Sequence, residues 1–226
     1  MAKRLAVLHT SFVFINVETM MNDLFRELLP TTQIIHFVDS SLLAHVMENG
    51  GVTRQAARRF YHMAEAAQDA GADLILSACS SVGPAVDAVR QLLDVPIVKI
   101  DDAMTERAVA SGSSIGVLAT VSSTLSPTVS LLQQKAQTVG KPVQIKPMLA
   151  QGAFEALMAG RRDEHDQAVL EAAKAVAPQA DLIVLAQASM TRLAPSLAQE
   201  TGLTVLASPR LCIESLRELL EQAPER

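Results

Sequence analysis

Cys79, in the stretch ILSACSSVGP at 75–84, is one of only two cysteines in a chain of 226 residues, and it separates an apolar run from a helix start. A thiol so placed is either a small packed hydrophobe or a reactive group. Three features favour reactivity. The run before it reads as a strand, so Cys79 falls at the carboxyl end, where open α/β sheets bind ligands. Ser80 and Ser81 add hydroxyls and backbone N–H groups beside it. Gly83-Pro84 reads as a helix start with proline at the first helical position, and a thiol near a helix N-terminus has its thiolate favoured by the dipole and the N–H donors. Such a thiol can protonate a carbanion on one face, add to an activated double bond, or attack a carbonyl.

Small hydroxyl residues gather at the other predicted strand ends. Thr10 and Ser11 follow the first strand, Thr120 with Ser122, Ser123 and Thr124 follow the strand SIGVLAT, and Ser189 follows DLIVLA close to Gln187. Hydroxyl and backbone donors suit a carboxylate and the enediolate that forms when its α-carbon loses a bond. Each of these residues can equally cap the helix after it. As a set on one edge they are read as substrate-binding residues.

The remaining titratable groups read as structural. Cys212, in SPRLCIESL, sits on an apolar helical face, and Arg210 reads as a surface arginine at a helix start that could still reach an anion. His9 closes the first strand, as a hydrogen-bonded residue or an auxiliary acid or base; His36, inside IIHFV, reads as packed. His45, His62 and His165 fall on predicted helices, and RRDEHD (161–166) reads as a solvated helix start and not as a metal cluster. Asp39, Asp101 and Asp102 follow strands, where a site role and a capping role are both open.

These residues are carried by an alternation of short apolar runs and amphipathic segments, the pattern of strands and helices around a parallel sheet. Strands are predicted at RLAVLHT, QIIHFV, DLILSA, PIVKI, SIGVLAT, VQIKPML, DLIVLA and LTVLA. Helices are predicted over 18–29, 53–70, 84–93, 102–111, 125–139, 163–177, 192–200 and 210–222. SGSSIG (111–116) precedes a strand and so lacks the strand-to-helix setting of a phosphate loop. Without a Walker sequence or GxGxxG, no nucleotide, metal or pyridoxal cofactor is expected.

The second half repeats the first. ADLILSACSSVG (72–83) and ADLIVLAQASMT (180–191) align without gaps at an offset of 108 residues, with six of twelve positions identical. The strands LAVLHTS (5–11) and IGVLATV (115–121) correspond at an offset of 110. The expectation is an α/β fold of two pseudo-symmetric lobes, 1–110 with 208–226 and 111–207, each a mostly parallel sheet flanked by helices. An approximate twofold axis would turn the strand ends toward a shared cleft holding the active site, with Cys79 and Gln187 on opposite walls.

Composition bounds the function. A formal net charge of -5 and 3% aromatic residues supply neither a basic footprint nor stacking platforms for nucleic acid. No apolar run approaches the roughly 20 residues that span a bilayer. MAKRLAVLHTSFVF reads as a first strand and not a signal, which predicts a soluble, cytoplasmic protein. Two cysteines are too few for a disulfide framework or a structural zinc site.

Through GADLILSACSSVGP, IGVLATVSST and ADLIVLAQASM, the chain resembles the aspartate/glutamate/hydantoin racemase superfamily, which includes cofactor-independent racemases, maleate isomerase and arylmalonate decarboxylase. The resemblance spans essentially the whole chain. It implies two pseudo-symmetric α/β lobes, acid/base cysteines from both lobes flanking the substrate's reacting carbon, a carboxylate held by Thr and Ser groups, and a homodimer or higher homo-oligomer. Cys79 matches the first-lobe cysteine. Gln187 stands where the second would be, and an amide cannot exchange a proton at neutral pH. The expected function is therefore single-cysteine isomerase or racemase-like chemistry on a small carboxylic acid, with Cys79 and Gln187 catalytic. A decarboxylase or other carbon–carbon lyase is the alternative, and a noncatalytic sensor a third reading.

Overall fold

In the computed structural model, which describes residues 2–12, 15 and 19–222, the chain divides into two compact units, Met1–Ile100 with Pro209–Arg226, and Asp101–Ser208. The first contains β1 (Arg4–His9), α1 (Met20–Leu28), β2 (Gln33–Val38), α2 (Leu42–Glu48), α3 (Arg54–Asp69), β3 (Leu74–Ser77), α4 (Gly83–Val89) and β4 (Ile97–Lys99). The second contains α5 (Asp102–Ser111), β5 (Ser114–Ala119), α6 (Ser122–Thr138), β6 (Gln144–Leu149), α7 (Ala153–Met158), α8 (Arg162–Val176), β7 (Leu182–Leu185), α9 (Ala194–Thr201) and β8 (Thr204–Ala207). The last helix, α10 (Ser208–Gln222), joins the first unit, where Arg210 pairs with Glu27 of α1 through two 2.9 Å contacts.

Each unit holds one parallel four-stranded sheet, ordered β2-β1-β3-β4 in the first and β6-β5-β7-β8 in the second. The permutation is the same, so the repeat seen in sequence is a repeat of topology. The central strands β3 and β7 are buried along their whole length, because helices cover both faces, and such strands read as continuous apolar runs. In the first unit Ala6, Leu8 and Ile75 pack with Phe60 and Ala64 of α3 and Val86 of α4. In the second, Leu118, Ile183 and Leu185 pack with Val169, Ala173 and Val176 of α8 and Leu197 of α9.

The repeated Ala-Asp pair has a structural purpose. Asp73 accepts a hydrogen bond from the Arg4 backbone N–H at 2.8 Å and returns its own N–H to the Arg4 carbonyl at 2.8 Å. Asp181 accepts from the N–H groups of Ser113 and Ser114 at 2.8 and 2.9 Å and donates to the Ser114 carbonyl at 2.7 Å. Each aspartate thus ties the start of the third strand to the start of the first. The two N–H donors hold the Asp181 carboxyl below its ordinary range.

All eight predicted strands form. Two short helices, α2 and α7, were not predicted; they occupy equivalent places after the second strand of each sheet. The segment expected as a helix over 84–93 is α4 followed by a 3-10 turn, Arg90–Leu92, and α6 starts three residues before its expected 125. The glycines of SGSSIG serve close packing. A Cβ on Gly116 would lie 3.1 and 3.2 Å from the Val176 methyls, so α8 rests directly on β5 there.

Candidate active site

At the carboxyl edge of the first sheet, β1 and β3 are neighbours, with Leu8 opposite Ser77. The chain leaving β3 stays beside β1 for one more residue, because the Ala78 N–H donates to the Leu8 carbonyl at 3.1 Å. Cys79 follows in an extended conformation, φ -137° and ψ 117°, and begins a 3-10 turn, Ser80–Val82, that runs into α4 with Pro84 in its first turn. The thiol is half-buried against the apolar cluster of this unit. It stands one 3-10 turn ahead of α4. Thr10 and Ser81 are buried, while Ser11 and Ser80 are half-buried. Lys99, at the end of β4 and 6% exposed, reaches both carboxylate oxygens of Asp87 on α4 at 2.7 and 2.8 Å. A buried ammonium needs such a partner, and the pair clamps α4 to the sheet.

The second sheet repeats this arrangement. The Ala186 N–H donates to the Leu118 carbonyl at 2.8 Å, and Gln187 follows at φ -133° and ψ 127°. It too begins a 3-10 turn, Ala188–Leu193, which leads into α9 with a proline in its first turn. The Gln187 carboxamide oxygen accepts from the Thr120 backbone N–H at 2.6 Å and from the Thr120 hydroxyl at 3.1 Å. A backbone N–H can only donate, so the oxygen faces Thr120 and the NH₂ group faces away. Thr124 donates its hydroxyl to the Val121 carbonyl at 3.0 Å, Ser122 is exposed, and Ser123 and Ser189 are half-buried.

A family model described as Asp/Glu/Hydantoin racemase matches residues 15–216. The chain belongs to this family. Among the solved structures that share its fold are three racemases or racemase homologues. The glutamate racemase of Francisella tularensis subsp. tularensis SCHU S4, solved with D-glutamate, has a TM-score of 0.75 at 16% identity, covering 97% of this chain and 81% of that one. An allantoin racemase from Klebsiella pneumoniae has a TM-score of 0.69 at 18% identity, covering 98% and 89%. An aspartate racemase homologue from Pyrococcus horikoshii OT3 has a TM-score of 0.70 at 17% identity, covering 98% and 100%. No curated protein matches the chain in sequence.

Within this racemase-family chain, the other polar candidates have structural partners. His9 is 3% exposed and its Nε2 lies 2.9 Å from Nδ1 of His36. Burial, with the His36 charge adding to it, lowers the His9 pKa from 6.5 to about 4, and burial lowers His36 as well. Both rings are therefore neutral at pH 7, joined by one N–H. His45 bonds the capping hydroxyl of Thr53 at 2.9 Å. Asp39 pairs with Arg59 at 2.6 and 2.8 Å; burial alone would raise its pKa, but the Arg59 and Ser41 hydrogen bonds outweigh that and hold it low. Arg210 is held by Glu27, and Cys212 is fully buried.

RRDEHD is not simply solvated, as its charge pattern suggested. His165 is buried, with Nδ1 2.7 Å from Asp166, and Asp166 takes both guanidinium branches of Arg192. Arg192 lies in the 3-10 turn begun by Gln187, so α8 braces that turn. The Arg192 hydrogen bond, followed by the one from His165, keeps the Asp166 carboxyl below its ordinary range. The partner lies 26 residues away in sequence, which no local pattern could signal. Among the described residues no group of three or more His, Cys, Asp or Glu is placed to hold a metal ion, and no helix is long and apolar enough to cross a membrane.

Proposed function

We propose that this member of the Asp/Glu/hydantoin racemase family is a cofactor-independent isomerase acting on a small carboxylic acid, with Cys79 as its single acid/base or nucleophile and Gln187 hydrogen-bonding a substrate oxygen. The hydroxyl residues at the strand ends contribute carboxylate contacts, Thr10, Ser11, Ser80 and Ser81 from the first unit and Thr120, Ser122, Ser123, Thr124 and Ser189 from the second, and the assembly is a homodimer or higher homo-oligomer. The supporting observation is the shared backbone geometry of Cys79 and Gln187, each at the start of a 3-10 turn just past the third strand of its unit.

One thiol restricts the reaction. A thiolate that takes the α-proton leaves a thiol and an enediolate, and returning that proton to the same face restores the starting configuration. Net inversion then needs a solvent proton on the opposite face. Addition to a carbon–carbon double bond conjugated with the carboxylate needs only the one sulfur: an S–C bond forms, the former double bond rotates, and expulsion of the thiolate gives the geometric isomer. Decarboxylation is the second reading, favoured by Gln187 in the second position, since protonation on one face also needs a single thiol.

Turnover in D₂O separates them. An isomerase washes deuterium into recovered substrate or interconverts isomers without releasing CO₂; a decarboxylase releases CO₂ and labels product alone. Should Cys79→Ala and Cys79→Ser both keep ligand binding while no small acid is turned over by the unmodified protein, the noncatalytic reading stands instead.

A further inference from the structure

We propose that Gln187 is a donor-only specificity residue, locked by Thr120, which selects ligands presenting an acceptor oxygen (a carboxylate, keto or amide carbonyl) and rejects an ammonium group at that position. The inference rests on the proposal that Gln187 meets substrate, and adds what it recognises and why.

A carboxamide normally offers both hydrogen-bonding characters, because flipping the group exchanges its oxygen and its NH₂. Here the flip is blocked. Turning the NH₂ toward Thr120 would set donor against donor at the buried backbone N–H and lose the 2.6 Å hydrogen bond; only the hydroxyl, now at 3.1 Å, could reverse its role and accept. Thr120 is 6% exposed, so water is a poor replacement for the oxygen. The outward group is therefore the NH₂, whose two N–H donors have no hydrogen-bond partner among the described residues, on a half-buried side chain. A partly desolvated pair of donors favours an oxygen with free lone pairs and opposes another donor.

The same contacts change the role of the hydroxyl rim. The Thr120 N–H and hydroxyl proton are both committed to Gln187, and the Thr124 hydroxyl proton to the Val121 carbonyl. Thr120 is thus a positioning residue, acting on ligand through Gln187.

The test is Gln187→Glu in the full-length protein. A glutamate keeps an acceptor oxygen toward Thr120 but replaces the outward donor with a second acceptor. Succinate, pyruvate and ethylammonium serve as probes, followed in ¹⁵N-labelled protein through the Gln187 side-chain NH₂ signal and, in both the unmodified protein and Gln187→Glu, through the Thr120 backbone amide signal. The expected result is that succinate or pyruvate shifts these signals at up to tens of millimolar and ethylammonium does not, and that Gln187→Glu weakens the binding at least tenfold. Thr120 amide exchange stays protected in Gln187→Glu and accelerates at least tenfold in Gln187→Met. Thr120→Val removes the hydroxyl hydrogen bond and should weaken succinate binding several-fold and move the Gln187 side-chain NH₂ signal of the ligand-free protein, whereas Thr120→Ser should restore both. Equal or tighter binding of the carboxylates by Gln187→Glu, a response to ethylammonium, or no response of the Gln187 signal to either anion would overturn the inference. A protein that binds through Gln187 but never turns over any acid refutes the enzymatic reading alone; an active enzyme indifferent to Gln187→Glu refutes this inference and the place of Gln187 at the substrate, and leaves the isomerase reading standing.

Discussion

Cys79 and Gln187 share one backbone conformation, φ -137° and ψ 117° against φ -133° and ψ 127°, and each is followed by a 3-10 turn and a proline-containing helix start. The duplicated scaffold thus presents two side chains in the same local setting, only one of which can act as an acid or base at neutral pH.

In the proposed function, that asymmetry puts the chemical burden on sulfur. Cys79→Ser and Cys79→Ala should fold, since the side chain is small and half-buried, and should lose turnover by roughly 10²–10⁴-fold, the range for removing a positioned acid or base. Thermal melting checks the first half, and deuterium incorporation checks the second. A serine variant with undiminished exchange would remove Cys79 from the chemistry.

The His9–His36 pair makes stability depend on pH. The folded protein holds His9 at about 4, whereas an unfolded histidine titrates near 6.5, so between those values the unfolded chain binds more protons. Stability contributed by neutral His9 is therefore present above about pH 6.5 and lost as pH falls toward 4, by up to about 3 kcal/mol at 1.4 kcal/mol per unit. Urea denaturation at pH 7 and pH 4.5 measures this. His9→Gln should flatten the difference, and an unchanged slope in that variant would assign the pH dependence to other groups.

Arg192→Met removes the guanidinium that Asp166 grips. The pair is about one-third exposed, so global stability should fall by only about 0–1 kcal/mol. The local effect should be larger: hydrogen exchange in Ala188–Leu193, the turn behind Gln187, should accelerate relative to α8. Equal exchange in both proteins would show that the turn is held without this brace.

Gly116→Ala tests the packing role of the glycine stretch. The added methyl would meet Val176 at 3.1 and 3.2 Å on a buried strand, so destabilisation of about 1–3 kcal/mol is expected from overpacking. Chemical denaturation reads it directly. A neutral substitution would mean that α8 shifts away freely.

The strands were legible because buried parallel strands are short continuous apolar runs, and DLILSA and DLIVLA differ sharply from their flanks. The duplication was legible through the same two segments, and its topological counterpart is the identical strand order of the two sheets. The helices α2 and α7, of seven and six residues, escaped prediction because so few turns cannot display a repeating apolar stripe. Residue type marked Thr120 and Thr124 as hydroxyl donors but could not show that their protons are engaged, by Gln187 and by the Val121 carbonyl.

By itself, the amino-acid sequence determined the alternation of strands and helices, their duplication, and the placing of Cys79 and Gln187 at matching strand ends, since all of these follow from local polarity and short-range pattern. Only the tertiary structure decided the contacts that give those positions their character: Gln187 locked onto Thr120 across 67 residues, His9 joined to His36 across 27, and Arg192 drawn to Asp166 across 26. Hydrogen bonds and ion pairs are made between neighbours in space, and folding chooses those neighbours by laying separate strands and helices side by side.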